Sequence, residues 1–362
     1  MNLGIDARPL AYGITGNSRY LAEVLRIIVK RNSKVHFYLF SNKPVHPVFN
    51  DILNFPNVKT IYESKSYPGP IYLNFILPKR IKEHNMDRFW GTLQMLPIRK
   101  LPIPGFVNYH DLNFISAPET MAKWNFWQHK LLSKYTLKNA DKIFCLSKNT
   151  KNEISSYMPE AANKCLVVYP GVSKRNFKTK KGLLPKSFFL TVGTLEPRKN
   201  IKRLIDAFLK FKETNPKDKH SLLILGRKGW GEEGDKLFQT LTDGSLEKYQ
   251  IQFMENPSDD VLGQAINECK AFFFPSHHEG FGLPLLEAMI EDKRCVASDI
   301  PVFREILSDS SDLYVPSSSP EGWTNAFQLF SNLKMGSRSP KFSKTKWSWD
   351  HTAKLLEEVL LK

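Results

Sequence analysis

The sequence has little cysteine and no long apolar run. Its four cysteines stand far apart and form no C-x-x-C pair, so we predict neither a zinc site nor a disulfide framework. No run of about 18 apolar residues occurs, and the N-terminus, MNLGIDARPL, has no apolar segment of the kind found in signal peptides. These absences favour a protein of the reducing cytoplasm that is neither exported by a signal peptide nor membrane-spanning.

Acidic residues are scarce in the first half of the chain. The protein holds 52 Lys and Arg against 36 Asp and Glu, a net charge of +16. Residues 1–170 hold 23 of the basic and 11 of the acidic residues, giving +12, whereas the remaining residues give +4. A basic surface of this kind suits an anionic membrane, a phosphorylated acceptor or nucleic acid, although it can equally serve solubility alone.

Short apolar segments alternate with helical patterns along the chain, which is typical of parallel strands joined by helical crossovers. Strands are predicted at 2–5, 35–40, 58–61, 88–91, 105–109, 142–146 and 166–169, and then at 187–192, 221–225, 250–254, 271–275, 295–298 and 313–315. Helices are predicted near 18–31, 120–138, 149–157, 200–213, 235–242, 258–268, 284–291 and 350–361.

The length of 362 residues favours two domains. We predict an α/β protein with two facing Rossmann-like domains, each a doubly wound parallel sheet. Residues 1–170 form the first domain, 171–186 a linker, 187–345 the second domain, and 346–362 a C-terminal helix that could return to the first. Ligands bind beyond the carboxyl ends of the strands in such sheets, so we expect one cleft that both domains line.

An anion site is predicted where the apolar strand 271–275 runs into a loop and a helix. Gly280 and Gly282 free the loop backbone, and Pro284 suits the first helical position. The backbone N–H groups of about Phe281 to Leu285 should then point outward and, with the helix dipole, favour a phosphate. Glu279 and Glu287 border the same loop. Because carboxylates repel phosphate, their useful role there is to accept hydrogen bonds from neutral sugar and ribose hydroxyls.

The string from Glu279 to Glu287 resembles the E-x7-E signature of retaining glycosyltransferase family 4, whose members adopt the GT-B fold. Val192-Gly-Thr-Leu-Glu-Pro-Arg-Lys-Asn200 looks like the donor phosphate loop of that family. Other matching segments are Gly4–Arg8, Gly13, Gly16–Tyr20, His110–Leu112 and Phe342–Ala353. The resemblance spans nearly the whole chain, with one departure: Asp292 to Cys295 replaces the usual Gly-x-Pro before a strand.

The resemblance implies a role for each matched residue. Arg198 and Lys199 would neutralise the donor diphosphate, and Glu287 would hold the ribose hydroxyls. Glu279 would face the transferred sugar, beside the loop backbone of Phe281, Gly282 and Leu283. In the first domain, Gly16 would approach the donor phosphate and the acceptor. His110 would contact the sugar near the reacting carbon.

The resemblance also implies an activity and its partners. We expect retaining transfer of a hexose, with mannose from GDP-mannose as the first choice of donor and UDP-sugars next. The acceptor would be a saccharide carried on a lipid, in O-antigen or other cell-surface polysaccharide synthesis. The protein would then lie at the inner face of the cell membrane as a peripheral protein, and nucleic acid would not be a partner. No cofactor is expected, and no metal either, since the sequence contains no Asp-x-Asp.

Competing interpretations remain open at this stage. The string from Gly229 to Gly234 spells G-x-G-x-x-G and by itself predicts an NAD-dependent oxidoreductase. Trp230 at its tight turn and the acidic pair after Gly231 oppose that use, so a surface turn is favoured. A catalytically silent nucleotide-sugar-binding protein is a further alternative. Helix 124–136 has an aromatic side that could enter a membrane interface, although core packing is the favoured use.

Overall fold

The elements that follow are those of a computed structural model. The structure describes residues 1–65, 67–118, 121, 123–307, 312–333 and 345–362, with residues 123–125 described by their backbone alone. The segment Phe342–Ala353 therefore lies only partly within the described residues.

Thirteen strands are present among the described residues. They are β1 Asn2–Asp6, β2 His36–Ser41, β3 Val58–Tyr62, β4 Arg88–Gly91, β5 Gly105–Tyr109, β6 Lys142–Cys145, β7 Cys165–Val167, β8 Phe188–Leu195, β9 Ser221–Lys228, β10 Ile251–Glu255, β11 Ala271–Phe274, β12 Cys295–Ser298 and β13 Leu313–Val315. Each lies within a few residues of a strand predicted from the sequence.

Fourteen α-helical segments accompany them in the same described ranges. They are α1 Gly16–Arg31, α2 Asn50–Leu53, α3 Gly69–Ile71, α4 Leu77–Glu83, α5 Asn113–Ser116, α6 Lys123–Asn139, α7 Lys148–Tyr157, α8 Ile201–Thr214, α9 Glu232–Thr242, α10 Asp259–Glu268, α11 Leu283–Ile290, α12 Pro301–Ile306, α13 Pro320–Asn332 and α14 Trp349–Leu360. Every predicted helix has a counterpart here, although residues 120 and 122 of the predicted helix 120–138 lie outside the described residues. The segments that the periodicity did not reveal are α2, α3, α4, α5, α12 and α13. Within the part of the chain that the structure describes, no helix is both long and apolar enough to cross a membrane.

The strands form two separate parallel sheets. The first has the order β3-β2-β1-β4-β5-β6-β7 and the second the order β10-β9-β8-β11-β12-β13. In each sheet the chain builds outward from the first strand on one side and then crosses to the other. This is the doubly wound pattern, so the prediction of two Rossmann-like parallel sheets is confirmed.

The chain divides into two compact units. The first comprises the described residues of 1–114, of 123–171 and from 345 onward, and the second comprises residues 172–307 and 312–333 with residues 115–118 and 121. The second unit therefore contains the whole β8–β13 sheet.

Helix α14 packs within the first unit although it ends the chain. The hydroxyl of Thr352 donates to the Tyr169 carbonyl at 2.7 Å, and Arg88 donates to the Val359 carbonyl at 3.0 Å. A Cβ on Gly171 would lie 2.2 Å from the first backbone nitrogen of the helix. The close approach of the helix to the end of the first unit thus requires glycine at this position.

Helix α6 departs from the use that its sequence favoured. Trp127 and Tyr135 are 54% and 53% exposed, so these two aromatic side chains lie outside the core. Ser133, Thr136 and Leu137 form its buried side instead. The expectation that the aromatic side packs into the core is wrong for Trp127, because a different face of the helix is buried.

The core of the second unit combines aliphatic side chains with aromatic ones from the strands and from helices α8 and α13. On α8 the buried residues Leu204, Phe208 and Phe211 recur at helical spacing and face the sheet. Phe273 of β11 stacks on Phe327 of α13 with ring centroids 4.3 Å apart. Helix α13 was not predicted, yet its Phe327 is fully buried at the centre of this cluster.

Replacing Phe327 with Ala should therefore destabilise the second unit. Loss of a fully buried aromatic ring costs about 3–5 kcal/mol, because transfer free energy is lost and a cavity remains. Urea unfolding should show this loss, whereas Leu329→Ala on the same helix, where the side chain is 49% exposed, should change the free energy of unfolding little. Equal effects of the two substitutions would contradict the core assignment.

Candidate active site

The predicted site residues of the second unit lie at the point where its strand order reverses. The chain passes from β8 outward through β9 and β10, and then returns to β11 on the opposite side of β8. The carboxyl ends of β8 and β11 therefore flank the topological switch point, where open α/β sheets bind ligands. Arg198 and Lys199 follow β8, and Glu279 follows β11.

The loop after β8 is held in place by one asparagine. Pro197 to Lys199 form a single 3-10 turn, and Asn200 ends it in the left-handed conformation with φ of 55°. Asparagine tolerates this conformation better than most residues. Its side-chain amide donates to the carbonyls of Pro275 at 3.0 Å and Ser317 at 2.9 Å. The turn is thereby tied to the loops that follow β11 and β13.

Glu279 lies between the two cations of that turn. Its carboxylate accepts from Lys199 Nζ at 2.5 Å, from Arg198 Nη1 at 2.8 Å and from the Ser276 hydroxyl at 2.8 Å. Only 6% of Glu279 is exposed. The structure thus brings together three of the residues that the sequence singled out, and it pairs them with one another.

Burial by itself raises the pKa of the Glu279 carboxyl. The charges of Lys199 and Arg198 and the hydrogen bonds from Lys199 and Ser276 outweigh that effect and lower the pKa from 4.5 to about 2. The carboxylate is therefore ionised throughout the neutral range.

A second buried carboxylate completes the cluster. Glu196 accepts from Arg198 Nη2 at 2.7 Å and is 4% exposed. Burial raises its pKa, and the charges of Arg198 and Lys199 offset this only in part. Sequence reasoning missed Glu196 because it stands outside the E-x7-E string, although it immediately precedes Pro197-Arg198-Lys199 in the recognised loop.

The turn into α11 depends on Gly282. Its φ is 111°, which is strained for residues other than glycine, and a Cβ there would lie 2.9 Å from the Phe303 ring. Helix α11 begins at Leu283 with Gly282 as its N-cap, so Pro284 takes the second helical position. The Leu285 N–H donates to the Gly282 carbonyl at 3.0 Å. Fewer N–H groups are therefore available to an anion than the predicted run from Phe281 to Leu285, because the Leu285 N–H is already paired and Pro284 has no N–H.

Glu287 lies in the second turn of α11 rather than the first, and it too faces a cation. Arg175 donates to its carboxylate at 2.9 Å and to Asp259 at 2.6 Å. Glu287 is 6% exposed, and the side chain of Arg175 is 11% exposed. Arg175 falls in the predicted linker, where a basic residue gives no local sign of a site, so sequence reasoning missed it.

The remaining predicted residues belong to the first unit. Gly16 is the first residue of α1, and a Cβ there would meet nothing within 4 Å. Tyr20, one turn later, contacts the His110 ring edge to face with centroids 6.4 Å apart. His110 follows β5, and its Nε2 lies 2.9 Å from the Thr92 carbonyl. Burial lowers the pKa of His110, and the hydrogen bond to the Thr92 carbonyl opposes this effect only in part, so the ring is neutral. Because a carbonyl can only accept, Nε2 carries the proton of the neutral ring.

The competing glycine string follows β9, one strand away from the switch point. A Cβ on Gly229 would lie 1.9 Å from the Leu195 carbonyl oxygen, and one on Gly234 would lie 2.5 Å from the same atom. These glycines let the turn pack on the end of β8, and Trp230 is 46% exposed. A dinucleotide fingerprint instead follows the first strand of its sheet, at the switch point. The geometry therefore favours a surface turn.

Histidines and acidic residues do not assemble into a metal-binding group in the described ranges. No set of three or more His, Cys, Asp or Glu side chains there is arranged to hold a metal ion. The adjacent pair His277 and His278 has other contacts: His277 lies 3.0 Å from the Ser317 hydroxyl, and the His278 carbonyl accepts from Arg198 at 3.1 Å.

Two doubly wound parallel-sheet units are the architecture of the GT-B fold, and paired acidic and basic residues lie at the switch point of the second unit. Residues 14–175 match the model of glycosyltransferase family 4, and residues 173–345 match that of glycosyl transferases group 1. The chain belongs to glycosyltransferase family 4, as its motifs predicted.

Named relatives agree with this assignment. The chain is 28% identical to the O-antigen chain mannosyltransferase RfbU of Salmonella typhimurium over 227 residues, or 63% of this chain. It is 26% identical to the O-antigen chain mannosyltransferase B of Escherichia coli over 268 residues, or 69% of this chain. The matches span 61% of the length of each relative.

The fold is shared with WaaG, a glycosyltransferase involved in lipopolysaccharide biosynthesis, with a TM-score of 0.69 and 15% identity over 99% of this chain and 95% of that one. It is also shared with HepE of Anabaena in complex with UDP and glucose, with a TM-score of 0.66 and 17% identity over 99% and 94% of the two chains.

The ionised state of Glu279 predicts a pH dependence of stability. Because its folded-state pKa of about 2 lies below the ordinary 4.5, its stabilising effect is complete above pH 4.5 and is lost as the pH falls from 4.5 towards 2. The shift corresponds to about 3 kcal/mol.

Unfolding of the wild type and of Glu279→Gln across this pH range tests the assignment. The difference in unfolding free energy should be constant above pH 4.5 and should shrink as the pH approaches 2. Glu247→Gln, at an exposed glutamate in the same unit, is the matched control and should show no such trend. A difference for Glu279→Gln that does not vary with pH would show that the carboxylate is not held by the two cations.

Proposed function

We propose that the protein transfers a hexose from a nucleotide-sugar donor to a saccharide acceptor with retention of the anomeric configuration. The observation that carries this proposal is the cluster of Glu279, Arg198 and Lys199 at the switch point of the second unit. The cluster contains two cations for a diphosphate and a carboxylate for a sugar hydroxyl. Family membership and the role of the matching motifs support the same conclusion.

Donor binding then takes the form of an exchange of partners. A diphosphate competes with Glu279 for Arg198 and Lys199, because the diphosphate of a nucleotide sugar carries two negative charges and the carboxylate carries one. As the cations move towards the phosphates, the Glu279 carboxylate regains lone pairs that can accept from hydroxyls of the transferred sugar. In this proposal Arg198 and Lys199 bind the diphosphate of the donor, and Glu279 binds its sugar.

The proposed chemistry is electrostatic. The bond between the anomeric carbon and the diphosphate oxygen breaks, and Arg198, Lys199 and the amino end of α11 stabilise the charge that develops on the departing diphosphate. The departing oxygen takes the proton from the acceptor hydroxyl, which forms the new bond on the same face of the sugar. In this proposal the two side-chain cations act in place of a metal ion.

GDP-mannose is the proposed donor, with UDP-sugars as the alternative. The support comes from the names of the relatives, which are mannosyltransferases in the two cases given above. A further relative, from Xanthomonas oryzae, is named GDP-mannose:cellobiosyl-diphosphopolyprenol alpha-mannosyltransferase and is 22% identical over 63% of this chain. HepE, whose fold is shared, was solved with UDP and glucose, which is the reason to include UDP-sugars.

We propose a lipid-linked saccharide as the acceptor, in O-antigen or a related cell-surface polysaccharide. The Xanthomonas relative is named for such an acceptor, and the basic excess of residues 1–170 suits a substrate with a diphosphate. The protein would then act at the cytoplasmic face of the membrane as a peripheral protein.

A panel of GDP-, UDP- and ADP-sugars, together with NAD, tests the donor assignment. A bound donor raises the thermal midpoint because it binds only the folded state. GDP-mannose should give the largest shift, and product formation with a lipid-linked acceptor should follow. Stabilisation by NAD alone would instead favour an oxidoreductase, and stabilisation without turnover would favour a silent binding protein.

Removal of the two cations tests the mechanism. Arg198→Ala with Lys199→Ala should lower kcat by about a thousandfold or more, because loss of one such group already costs about 10²–10³. Lys202→Ala with Lys210→Ala, two exposed lysines of the same unit, is the matched control. The double variant leaves the buried Glu279 carboxylate without its two cations, which could impair folding. Adding Glu279→Gln removes that charge, so a variant with a normal thermal midpoint and a lowered kcat separates catalysis from folding. Full activity of either cation-deficient variant would refute the mechanism.

Arg175 is a positioning residue in this scheme, since it orients Glu287 for the ribose hydroxyls. Arg175→Gln should raise the KM for the donor about tenfold, the effect of losing one charge-assisted hydrogen bond, and should leave kcat nearly unchanged. Arg175→Lys should restore part of the loss. Lys174→Gln, at a neighbour with 60% side-chain exposure, should have no effect on KM, and an equal change in that variant would remove the case for Arg175.

A further inference from the structure

The outward face of α6 carries two parallel rows of exposed side chains. The apolar row consists of Trp127, Leu131 and Tyr135, which are 54%, 62% and 53% exposed. The basic row consists of the exposed residues Lys130, Lys134 and Lys138. Within each row the residues are four apart, so each row runs along one side of the helix.

The helix is packed into the first unit through a different side from this exposed face. Ser133, Thr136 and Leu137 already form the side that meets the core, with at most 1% exposure. The helix contains no aspartate or glutamate between 123 and 139, so its lysine row has no acidic neighbour on the same element. Lys130 Nζ lies 5.1 Å above the Trp127 ring, which joins the two rows into one surface.

Two neighbouring segments also carry exposed apolar side chains. The Asn139 side chain donates to the Ile98 carbonyl at 3.0 Å, and the Ile98 N–H donates to the Asn74 side chain at 2.9 Å. Next to these contacts, Phe75 is 72% exposed and Ile98 is 42% exposed. The exposed apolar side chains therefore come from three adjacent segments of the first unit.

We propose that this face of α6 binds an anionic lipid bilayer. Trp, Tyr and Leu side chains enter the boundary between headgroups and acyl chains, while lysines beside them pair with anionic headgroups. The inference deepens the proposed function, because it names the surface that would bring a lipid-linked acceptor to the enzyme. It does not require that any particular sugar be transferred.

The charge of the face favours a bilayer over a second copy of this chain. Two copies that met through α6 about a twofold axis would place one lysine row near another, which repels. An anionic bilayer instead offers complementary charge to all three lysines and an apolar layer to the aromatic row. Each lysine near such a surface contributes roughly a fivefold gain in affinity, so the row contributes on the order of a hundredfold.

Sedimentation of the full chain with vesicles tests the proposal. Vesicles of phosphatidylethanolamine and phosphatidylglycerol should bind the wild type, and vesicles of phosphatidylcholine should bind it on the order of a hundredfold less tightly, as should the anionic vesicles at high salt. Trp127→Ser with Leu131→Ser and Tyr135→Ser should abolish binding. Lys130→Gln with Lys134→Gln and Lys138→Gln should weaken it to the level seen with phosphatidylcholine.

Matched variants elsewhere on the surface complete the design. Trp230→Ser, at another exposed tryptophan, and Lys210→Gln with Lys217→Gln and Lys219→Gln, at exposed lysines of the second unit, should bind vesicles like the wild type. Brominated acyl chains should quench wild-type fluorescence more than that of Trp127→Phe. All the replaced side chains on α6 are exposed, so thermal midpoints and nucleotide-sugar binding should be unchanged in these variants.

Three results would overturn the inference: equal vesicle binding by the α6 variants and the wild type, indifference to lipid charge, and a lipid-free dimer that the α6 substitutions dissociate. Failure of the proposed function is distinguishable from each of these. It would appear as a lack of nucleotide-sugar binding or turnover in a protein that still binds vesicles through α6.

Discussion

The second unit depends on one buried carboxylate. Glu279 remains ionised with only 6% exposure because Arg198 and Lys199 both pair with it. An unpaired carboxylate at such a depth would cost several kcal/mol. Both cations must therefore lie within hydrogen-bonding distance of the carboxylate. The left-handed turn at Asn200 places them there, because the Asn200 side chain ties the loop after β8 to the loops after β11 and β13. The conformation of the loop after β8 therefore determines whether the buried charge of Glu279 is neutralised.

Both glutamates of the E-x7-E string are buried and paired with basic side chains. Glu279 is paired with Arg198 and Lys199, and Glu287 is paired with Arg175, so neither carboxylate is an isolated negative charge beside the proposed phosphate site. The positive charges that hold the glutamates also offset the repulsion that two bare carboxylates would exert on a diphosphate. In the proposed reaction, donor binding rearranges charges that are already balanced in the protein alone.

The sequence predicted the strands well because continuous apolar segments such as 271–274 have few other uses in a folded chain. It missed α13, although Ser319 and Pro320 are ordinary helix-start residues, because the preceding polar segment obscured the boundary. Candidate site residues that stand within one local string can be selected from the sequence, and their roles stay predictions. Arg175 and Glu287 are separated by 112 positions, and only tertiary packing brings such residues together. The outward face of α6 was misjudged for the same reason, since a helix with apolar residues on two sides does not reveal which side meets the sheet.

The placement of α14 bears on how these enzymes can be recombined. The helix ends the chain but packs in the unit that begins it, through Thr352 and the crowded backbone at Gly171. A chimera that joined this first unit to the second unit of a relative would need two crossover points, one near Gly171 and one before Trp349. A single exchange at the linker would leave the first unit covered by a foreign helix and would confound any change in specificity with a loss of folding.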